Sequence, residues 1–575
     1  MTAWSLLAVP GLLCAQAAQD PWATLERPRT HVSGPTRQPI TAADLSSRLY
    51  RFADDSMGGR LLGTEGNSKG VEYIANEVKQ MGLEPAGENG SYFQTIPVFS
   101  RPFDSTAVFG VGDSHFTAWT DYLPRDQGPG ARSLDGAQVI YGGTWGDSAS
   151  LISPDAVAGK LVLLSVAPAG YSSPEAPGTA NRFQVSGRYP LAAGIAVAGL
   201  DLFTQNNREL YHQAFQGMRP DNPQPAPTYL YVTRQTAEAM LGAPLDSAKA
   251  GATGRTLSGT PRFIEEPLEF PGRNVVAILR GRDPVLRGEF VAIGAHNDHI
   301  GTRQTPVAHD SMYVVNHLFR QSGADDQPPK IGDAEAKQIN DALAAIRQKT
   351  GGASARPDSI YNGADDDGSG SVSVLEIAQY FAGLRTRPKR SLLFVWHVGE
   401  EEGLYGSQYF TDHPTVPRDS IVAQLNIDMI GRGGVADVTG QKKEGGVVHG
   451  DPNYVQLIGS RRLSTELGDL AVTVNKTEHP ALNFDYTLDA NGHPQNIYCR
   501  SDHYEYARYG IPIIFFTTGG HADYHQVTDE PQYIDYARMA RIANLVADLA
   551  TTVANLDHRV VVDQPKPDPQ GNCQQ

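Results

Sequence analysis

Cysteine is scarce in this chain: Cys14, Cys499 and Cys573 are its three cysteines among 575 residues. Cys14 lies in an apolar N-terminal stretch that reads as a cleaved leader, which leaves two, enough for one disulfide at most. That excludes a cysteine-rich scaffold and a zinc site built on thiolates. Whether Cys499 and Cys573 pair is open at this level. Long apolar runs are missing too: past the N-terminus nothing approaches the roughly 20 apolar residues of a membrane helix. Runs of lysine or arginine do not occur, and 48 basic residues against 64 acidic ones give a formal net charge of -16. A nucleic-acid partner, which requires basic patches, is excluded. What is present, 40% hydrophobic and 19% charged residues, describes a globular protein with ample core material. Its length exceeds one ordinary core and predicts two or three domains.

The opening "MTAWSLLAVPGLLCAQAAQD" carries an apolar segment followed by Ala15-Gln16-Ala17, the layout of a secretory leader over residues 1–18, although a basic start is missing. Leu13 ahead of Cys14 suits lipoprotein processing poorly. The expectation is an exported protein, periplasmic or extracellular.

Residues 19–104 form an N-terminal helical part, with 41–83 reading as helical. Val71, Ile74, Ala75, Val78 and Met81 fall at helical spacing, and Gly82 suits a C-cap. From 105 to 262 Gly and Pro increase and short β-like runs such as "GKLVLLSV" and "PTYLYVT" appear, which predicts a separate β-rich insert. Within it "PLAAGIAVAGL" reads as a helix leading into a strand. From 263 to 560 the apolar runs "NVVAILRG", "EFVAIGAH", "SLLFVWHV", "IVAQLNID" and "GIPIIFFTTG" alternate with helical segments. Near-continuous apolar strands of this kind are buried on both faces, so the fold class is α/β: a mostly parallel mixed sheet flanked by helices, plus the β-rich insert. Residues 302–361 interrupt the alternation as a polar insertion with one helix, "DAEAKQINDALAAIRQ"; a lid and a solvated excursion fit it equally. The C-terminal 561–575 reads as a disordered tail.

Ligands of such sheets bind beyond the carboxyl ends of the strands, and there the polar residues gather. "GAHNDHIG" supplies His296 and Asp298, and "NGADDDGSG" supplies Asp365, Asp366 and Asp367 before a helix. "GEEEG" supplies Glu400 and Glu401, "LNIDMIG" supplies Asp428, and "GGHADYHQVTDEP" supplies His521, Asp523, His525 and Asp529. Each alone has a bland reading: a helix cap, a solvated acidic face, a polar cluster. Together, at successive strand ends and without thiolates, two of these histidines and several carboxylates suit hydrolytic zinc. Two zinc ions bring a charge of about +4, which three ligating carboxylates and a hydroxide neutralise. One glutamate is then left for proton transfer, which accounts for the acidic run.

With these motifs the chain resembles the two-zinc exopeptidases of family 28, the aminopeptidase group related to glutamate carboxypeptidases and the transferrin receptor. The resemblance takes in "GGRLLGTEGNSKGVEYIANEVKQMGLEPAG" and the stretch from 273 to about 556. The insert is similar to a protease-associated domain through "AGKLVLL" and "AAGIAVAGL". The resemblance implies two Zn2+ ions, one on His296 and Asp428, the other on Glu401 and His525, with Asp366 bridging and a cis peptide from Asp366 to Asp367. It implies Glu400 as general base toward a metal-bridging water, Asp298 hydrogen-bonded to His296 to hold its tautomer, and Tyr498 as an oxyanion donor with a packed aromatic as the equal alternative. The substrates implied are peptides with a free N-terminus, with side-chain preference set by 302–361 and 480–497. Alternatives are a carboxypeptidase-like enzyme using Arg461, Arg462 or Arg500, a glutaminyl-cyclase-like enzyme with one zinc, and a non-catalytic binding protein. No serine nucleophile is read from "GSGS", which lacks the glycine-flanked elbow. Oligomeric state is open.

Overall fold

The computed structural model describes residues 39–575 except 127, 146, 148, 167–184, 186, 204–207, 209–214, 220–221, 350–355 and 480. The expected leader and Cys14 lie outside the described residues. Two compact units emerge: one comprises the chain up to Ile96 together with Gly272–Gln575, the other Pro97–Pro271. The second unit is wider at both ends than the expected 105–262.

The first unit is built on a nine-stranded sheet. Its strands are β1 (Glu84–Pro85), β2 (Phe93–Thr95), β3 (Arg273–Leu279), β4 (Phe290–His296), β5 (Ser391–His397), β6 (Ile421–Ile427), β7 (Tyr454–Ile458), β8 (Asn483–Asp485) and β9 (Ile513–Thr517). The order is β1-β3-β5-β4-β6-β9-β7-β8, with β2 also paired to β3. At the centre β5, β4, β6 and β9 run parallel, while β3 and β7 join antiparallel. The central strands are buried along their whole length, as near-continuous apolar runs between two helical layers require. Parallel pairing also points their carboxyl ends the same way, which brings His296, the turn after His397, Asp428 and the loop after Thr517 to one edge.

The helices follow their sequence signals. Helix α1 (Ala42–Phe52) starts at a Thr41–Asp44 capping box. Helix α2 (Glu65–Gln80) is capped by Thr64 and stops at Met81, with Gly82 left-handed at φ +74. The turn between them, at 53–64, breaks the continuous helix read over 41–83. Helices α3 (His309–Phe319) and α4 (Asp333–Lys349) belong to the polar insertion, which thus holds two helices where the sequence suggested one. Helix α5 (Gly370–Ala382) follows the acidic loop, α6 (Tyr405–Asp412) the glutamate turn, α7 (Thr465–Glu478) strand β7, and α8 (Tyr536–Asn555) closes the layer. In α8, Ile542, Leu545, Leu549 and Val553 are fully buried, each worth about 1.5–3 kcal/mol of burial. Beneath the sheet, Arg48 of α1 pairs with Glu376 of α5 and, at 2.5 Å, with Glu77 of α2.

The C-terminal segment is not the disordered tail expected for 561–575. Cys573 is disulfide-bonded to Cys499 with Cα atoms 5.8 Å apart, the Gln575 amide donates to the Leu488 and Ala490 carbonyls, and the Gln575 side-chain oxygen accepts from the Tyr498 N–H at 3.0 Å. A covalent anchor offsets the low apolar content of this stretch.

The second unit holds an eight-stranded sheet with a parallel centre of Gln138–Trp145, Leu161–Val166, Gly194–Ala198 and Thr228–Val232. A smaller sheet joins Val98–Arg101 to Phe215–Met218 and Glu266–Pro267. The small-residue stretch yields the strand Gly194–Ala198 preceded by a turn, not a helix. No described helix is long and apolar enough to cross a membrane.

Candidate metal centre

The edge of β4, β5, β6 and β9 gathers the donors that the strand-end motifs supply. His296 Nε2 lies 3.1 Å from Asp366 Oδ1 and 3.7 Å from Asp428 Oδ1. His525 Nε2 lies 2.9 Å from Asp366 Oδ2 and 2.9 Å from Glu401 Oε2. Asp366 therefore offers one oxygen to each side, between the group of His296 and Asp428 and that of His299, Glu401 and His525. The Nε2 atoms of His296 and His525 and Asp428 Oδ1 are buried without a hydrogen-bond partner. Buried polar atoms normally find partners; here lone pairs face each other at spacings between ligands of a common cation and lack hydrogen-bond geometry. Imidazole and carboxylate donors without thiolate fit zinc. The electrostatics agree. Although burial works against it, His525 and His299 hold the Glu401 carboxyl down at about 2. Burial likewise opposes ionisation of Asp366, and the imidazoles of His296 and His525 still hold its carboxyl well below the usual range.

Glu400 differs from its neighbour. Burial, with the negative charges of Asp428, Glu401 and Asp502 around it, pushes its carboxyl well above the usual range. Its Oε2 lies 4.0 Å from His296 Nε2, beside the donor group rather than inside it.

The loop carrying Asp366 is held from several directions. Arg60, fully buried, donates to the carbonyls of Phe52, Asn362 and Gly363, and burial lowers its guanidinium to about 10. Gly363, at φ +55, leaves no room for a side chain, since a Cβ there meets the His299 ring at 2.6 Å. Asp529 accepts the backbone N–H groups of Asp365 and Asp366, and Asp535 caps α8. The peptide from Asp366 to Asp367 is cis. Ser501 donates to Asp428 Oδ2 at 2.7 Å, which leaves Oδ1 facing His296. His525 sits at φ +54, a left-handed conformation costing about 1–2 kcal/mol outside glycine, with its ring stacked on Tyr524 at 4.0 Å.

Two expectations are corrected. The Asp298 carboxylate does not hydrogen-bond His296: the partner of His296 Nδ1 is the Asp298 carbonyl at 3.2 Å, and the carboxylate stands 3.7 Å away. Its oxygens accept instead from the backbone N–H groups of Glu400 and Glu401 at 3.2 and 3.4 Å. Asp298 thus ties the glutamate turn to β4, while a main-chain oxygen sets the His296 tautomer. Tyr498 does not line the cavity and so is not placed as an oxyanion donor; its ring is buried in an apolar cluster, against His503, Tyr504 and the Arg462 guanidinium. Tyr524 is the tyrosine that lines the cavity with Asp366, Glu400 and Asp428.

His299 was missed by the sequence reading. It is buried, and its Nδ1 lies 2.6 Å from Glu401 Oε1, so it orients the carboxylate whose other oxygen faces His525. The pair His296 and His299, three residues apart at a strand end, was the available signal. His521 and Asp523 stand behind the centre, His521 on Asp365 at 3.3 Å and Asp523 on Arg432 and on His317 of α3. Helix α3 therefore packs on the loop that carries His525, so this part of the polar insertion is not a solvated excursion.

The segment 341–550 matches the profile of peptidase family M28. It includes Asp366, Glu400, Glu401, Asp428 and His525, and leaves His296 and Asp298 outside. A "Probable leucine aminopeptidase 1" of Trichophyton verrucosum is 28% identical over 202 residues, 33% of this chain and 48% of that protein. "Leupeptin-inactivating enzyme 1" of Streptomyces exfoliatus is 42% identical over 77 residues, 13% of this chain and 18% of that protein. The chain thus spans less than half the length of these curated relatives. Among solved structures, an aminopeptidase from Aneurinibacillus sp. strain AM-1 aligns with 92% of this chain and 97% of its own at 14% identity and a TM-score of 0.44. Over residues 341–550 this chain is similar to peptidase family M28.

Proposed function

We propose that the protein is a zinc-dependent aminopeptidase that hydrolyses N-terminal peptide bonds with two Zn2+ ions. The observation that carries this reading is the facing set of unpartnered buried donors, His296 Nε2, His525 Nε2 and Asp428 Oδ1, around Asp366. His296 and Asp428 would hold one ion, Glu401 and His525 the other, with Asp366 shared. Such ions, when bound, polarise a scissile carbonyl and make water acidic enough to attack at neutral pH.

The remaining work falls to the chain's own residues. Glu400, beside the donors but outside both groups, accepts the proton of the attacking water and returns it to the leaving amine. Asp298, through the backbone of Glu400 and Glu401, and Ser501, through Asp428, hold these carboxylates in place. An acidic cavity favours the α-ammonium group of a peptide, and Val438, Leu488, Ile497 and Phe515 line it with apolar surface. Ser322 and Asp325 from the polar insertion complete the wall.

Export to the periplasm or cell exterior, and a protease-associated role for the Pro97–Pro271 unit, belong to the same reading. The test is zinc per chain on purified protein, with hydrolysis of a leucine anilide before and after chelation. Nearly two zincs and activity restored by metal are expected. One zinc without amide hydrolysis would favour a cyclase-like enzyme, and no metal with no activity a binding protein on this scaffold.

A further inference from the structure

We propose that His309, Asp358 and Glu530 form a further divalent-cation site, of zinc chemistry, which clamps the polar insertion to the loop behind the candidate metal centre. It uses none of the donors described above and does not depend on the aminopeptidase reading.

The backbone brings the three residues together. Thr302–Ala308 pairs antiparallel with Pro357–Ile360, with Val307 opposite Asp358. The N–H of His309, the first residue of α3, donates to the Arg356 carbonyl at 2.8 Å. His309 and Asp358 therefore sit at the same end of this ribbon. Glu530 arrives from the other side, directly after Asp529, whose carboxylate holds the main chain of Asp365 and Asp366. One donor atom from each of the three lies within 4.8 Å of the other two.

The His309 ring points to a cation. It is fully buried, and its Nε2 has no hydrogen-bond partner although Glu530 Oε2 stands 3.0 Å away. On the opposite side of the ring, Nδ1 lies 3.0 Å from Asp310 Oδ1. A carboxylate that accepts Nδ1–H leaves a bare lone pair on Nε2, the arrangement found behind most metal-ligating histidines. Tyr313 and Tyr533 stack on the ring at 6.5 and 6.2 Å and fix its orientation.

The charge balance agrees. Asp310, Asp358 and Glu530 surround His309 and one guanidinium, that of Arg356. Three negative charges against one positive leave two, which one divalent cation matches. Arg356 Nη2 lies 2.5 Å from Glu530 Oε1 but 3.5 Å from Asp358 Oδ2, so it is committed to one oxygen. Gln532 donates to Glu530 Oε2, and a carboxylate oxygen keeps a second lone pair for a ligand. Burial raises the Asp358 carboxyl, and neither the Ile360 N–H nor Arg356 offsets it. One imidazole and two carboxylates without thiolate suit zinc, whereas calcium takes an all-oxygen set. Arg356 repels an arriving cation, so this site fills after the pair at the candidate metal centre. A proton on Nε2 is the competing occupant: burial works against it, while Asp310 and Glu530 raise the proton affinity of the ring.

Equilibrium dialysis of the full chain against rising free zinc, with metal and protein measured on each sample, counts the ions and separates the two occupants. Wild type is expected to take up one ion beyond those of the candidate metal centre, at least ten-fold more weakly, with a rise in melting temperature as it fills. His309→Phe, which keeps a stacked ring, is expected to bind one zinc fewer and to lose that rise. Asp358→Asn is expected to bind the same ion at least ten-fold more weakly. Calcium at equal concentration is expected to leave the site unfilled. A zinc count equal in wild type and His309→Phe assigns the position to the proton and overturns the proposal, as does a site that calcium fills equally well. The ion lost in His309→Phe decides this inference; the number that remains decides the aminopeptidase reading, which fails separately if fewer than two are left. Should His309→Phe not fold, Asp358→Asn decides: zinc binding identical to wild type overturns the proposal, and a ten-fold loss of the weakest ion supports it.

Discussion

Asp529 receives the backbone N–H of Asp365 on both carboxylate oxygens, each at 3.0 Å. One of those oxygens also takes the Asp366 N–H at 3.2 Å. The carboxylate that the centre shares between its two donor groups is therefore aimed by another carboxylate, which touches only its main chain. A buried acceptor in that position acts through geometry, and its loss leaves two backbone donors without partners.

Asp529→Ala is expected to weaken zinc affinity about 10- to 100-fold, the usual cost of removing a group that orients a ligand. Asp529→Asn, which keeps one acceptor oxygen, is expected to lose less. Competition against a chelator of known affinity measures both. Wild-type affinity in Asp529→Ala would show that Asp366 needs no such support.

Glu400 and Glu401 are adjacent yet differ in chemistry, because only Glu401 faces two imidazoles. Glu400→Gln is expected to keep its zinc and lose about 10²–10⁴-fold in kcat, the span of general acid–base catalysis. Glu401→Gln is expected to lose metal. Zinc content and anilide turnover on the same samples separate the two, and near-normal turnover in Glu400→Gln would remove it from the mechanism.

His503 is buried, with its ring stacked on Phe515 at 4.7 Å and edge-on to Tyr498. Burial pushes its imidazole down to about 3. The folded state then binds fewer protons than the unfolded one between about pH 3 and 6.5, so stability falls as pH falls through that window. The full linkage has an upper value of about 4–5 kcal/mol. His503→Phe, which preserves the stack, is expected to flatten this part of the acid limb in urea melts at pH 4 and pH 7. A limb as steep as wild type would assign acid sensitivity to other groups.

The disulfide between Cys499 and Cys573 closes a loop with a sequence separation of 74. Loop entropy alone gives it about 4 kcal/mol as an upper figure. Cys573→Ser, or wild type under reductant, is expected to melt at lower temperature and to free the last residues for proteolysis. Equal melting temperatures would mean that the hydrogen bonds of Gln575 hold the segment unaided.

Much of the centre was legible because it is periodic in the fold. His296, Asp366, Glu400, Asp428 and His525 stand in or beside turns that end apolar strands or start helices, and parallel pairing brings such turns together. Asp298 and Tyr498 were misjudged for a different reason. Whether a carboxylate reaches a ring or an amide, and whether a tyrosine enters the cavity or the apolar cluster beside it, depends on angstrom-scale placement that spacing does not encode. His299 escaped because a second histidine at a strand end reads as ordinary polar filler until Glu401 is seen beside it.

Composition and pattern by themselves determined that the protein has an α/β unit with a β-rich companion, little cysteine, a net negative charge, and an acidic site with histidines at strand ends. Those properties depend on local hydrophobic periodicity and on net charge, both of which are sums over sequence. The tertiary structure alone decided that Asp366 faces two groups, that Asp298 serves the backbone, that Tyr524 and Arg500 line the cavity while Tyr498 does not, and that the last residues are stapled to the fold. Those depend on contacts between residues tens to hundreds of positions apart, which close packing sets and local sequence does not.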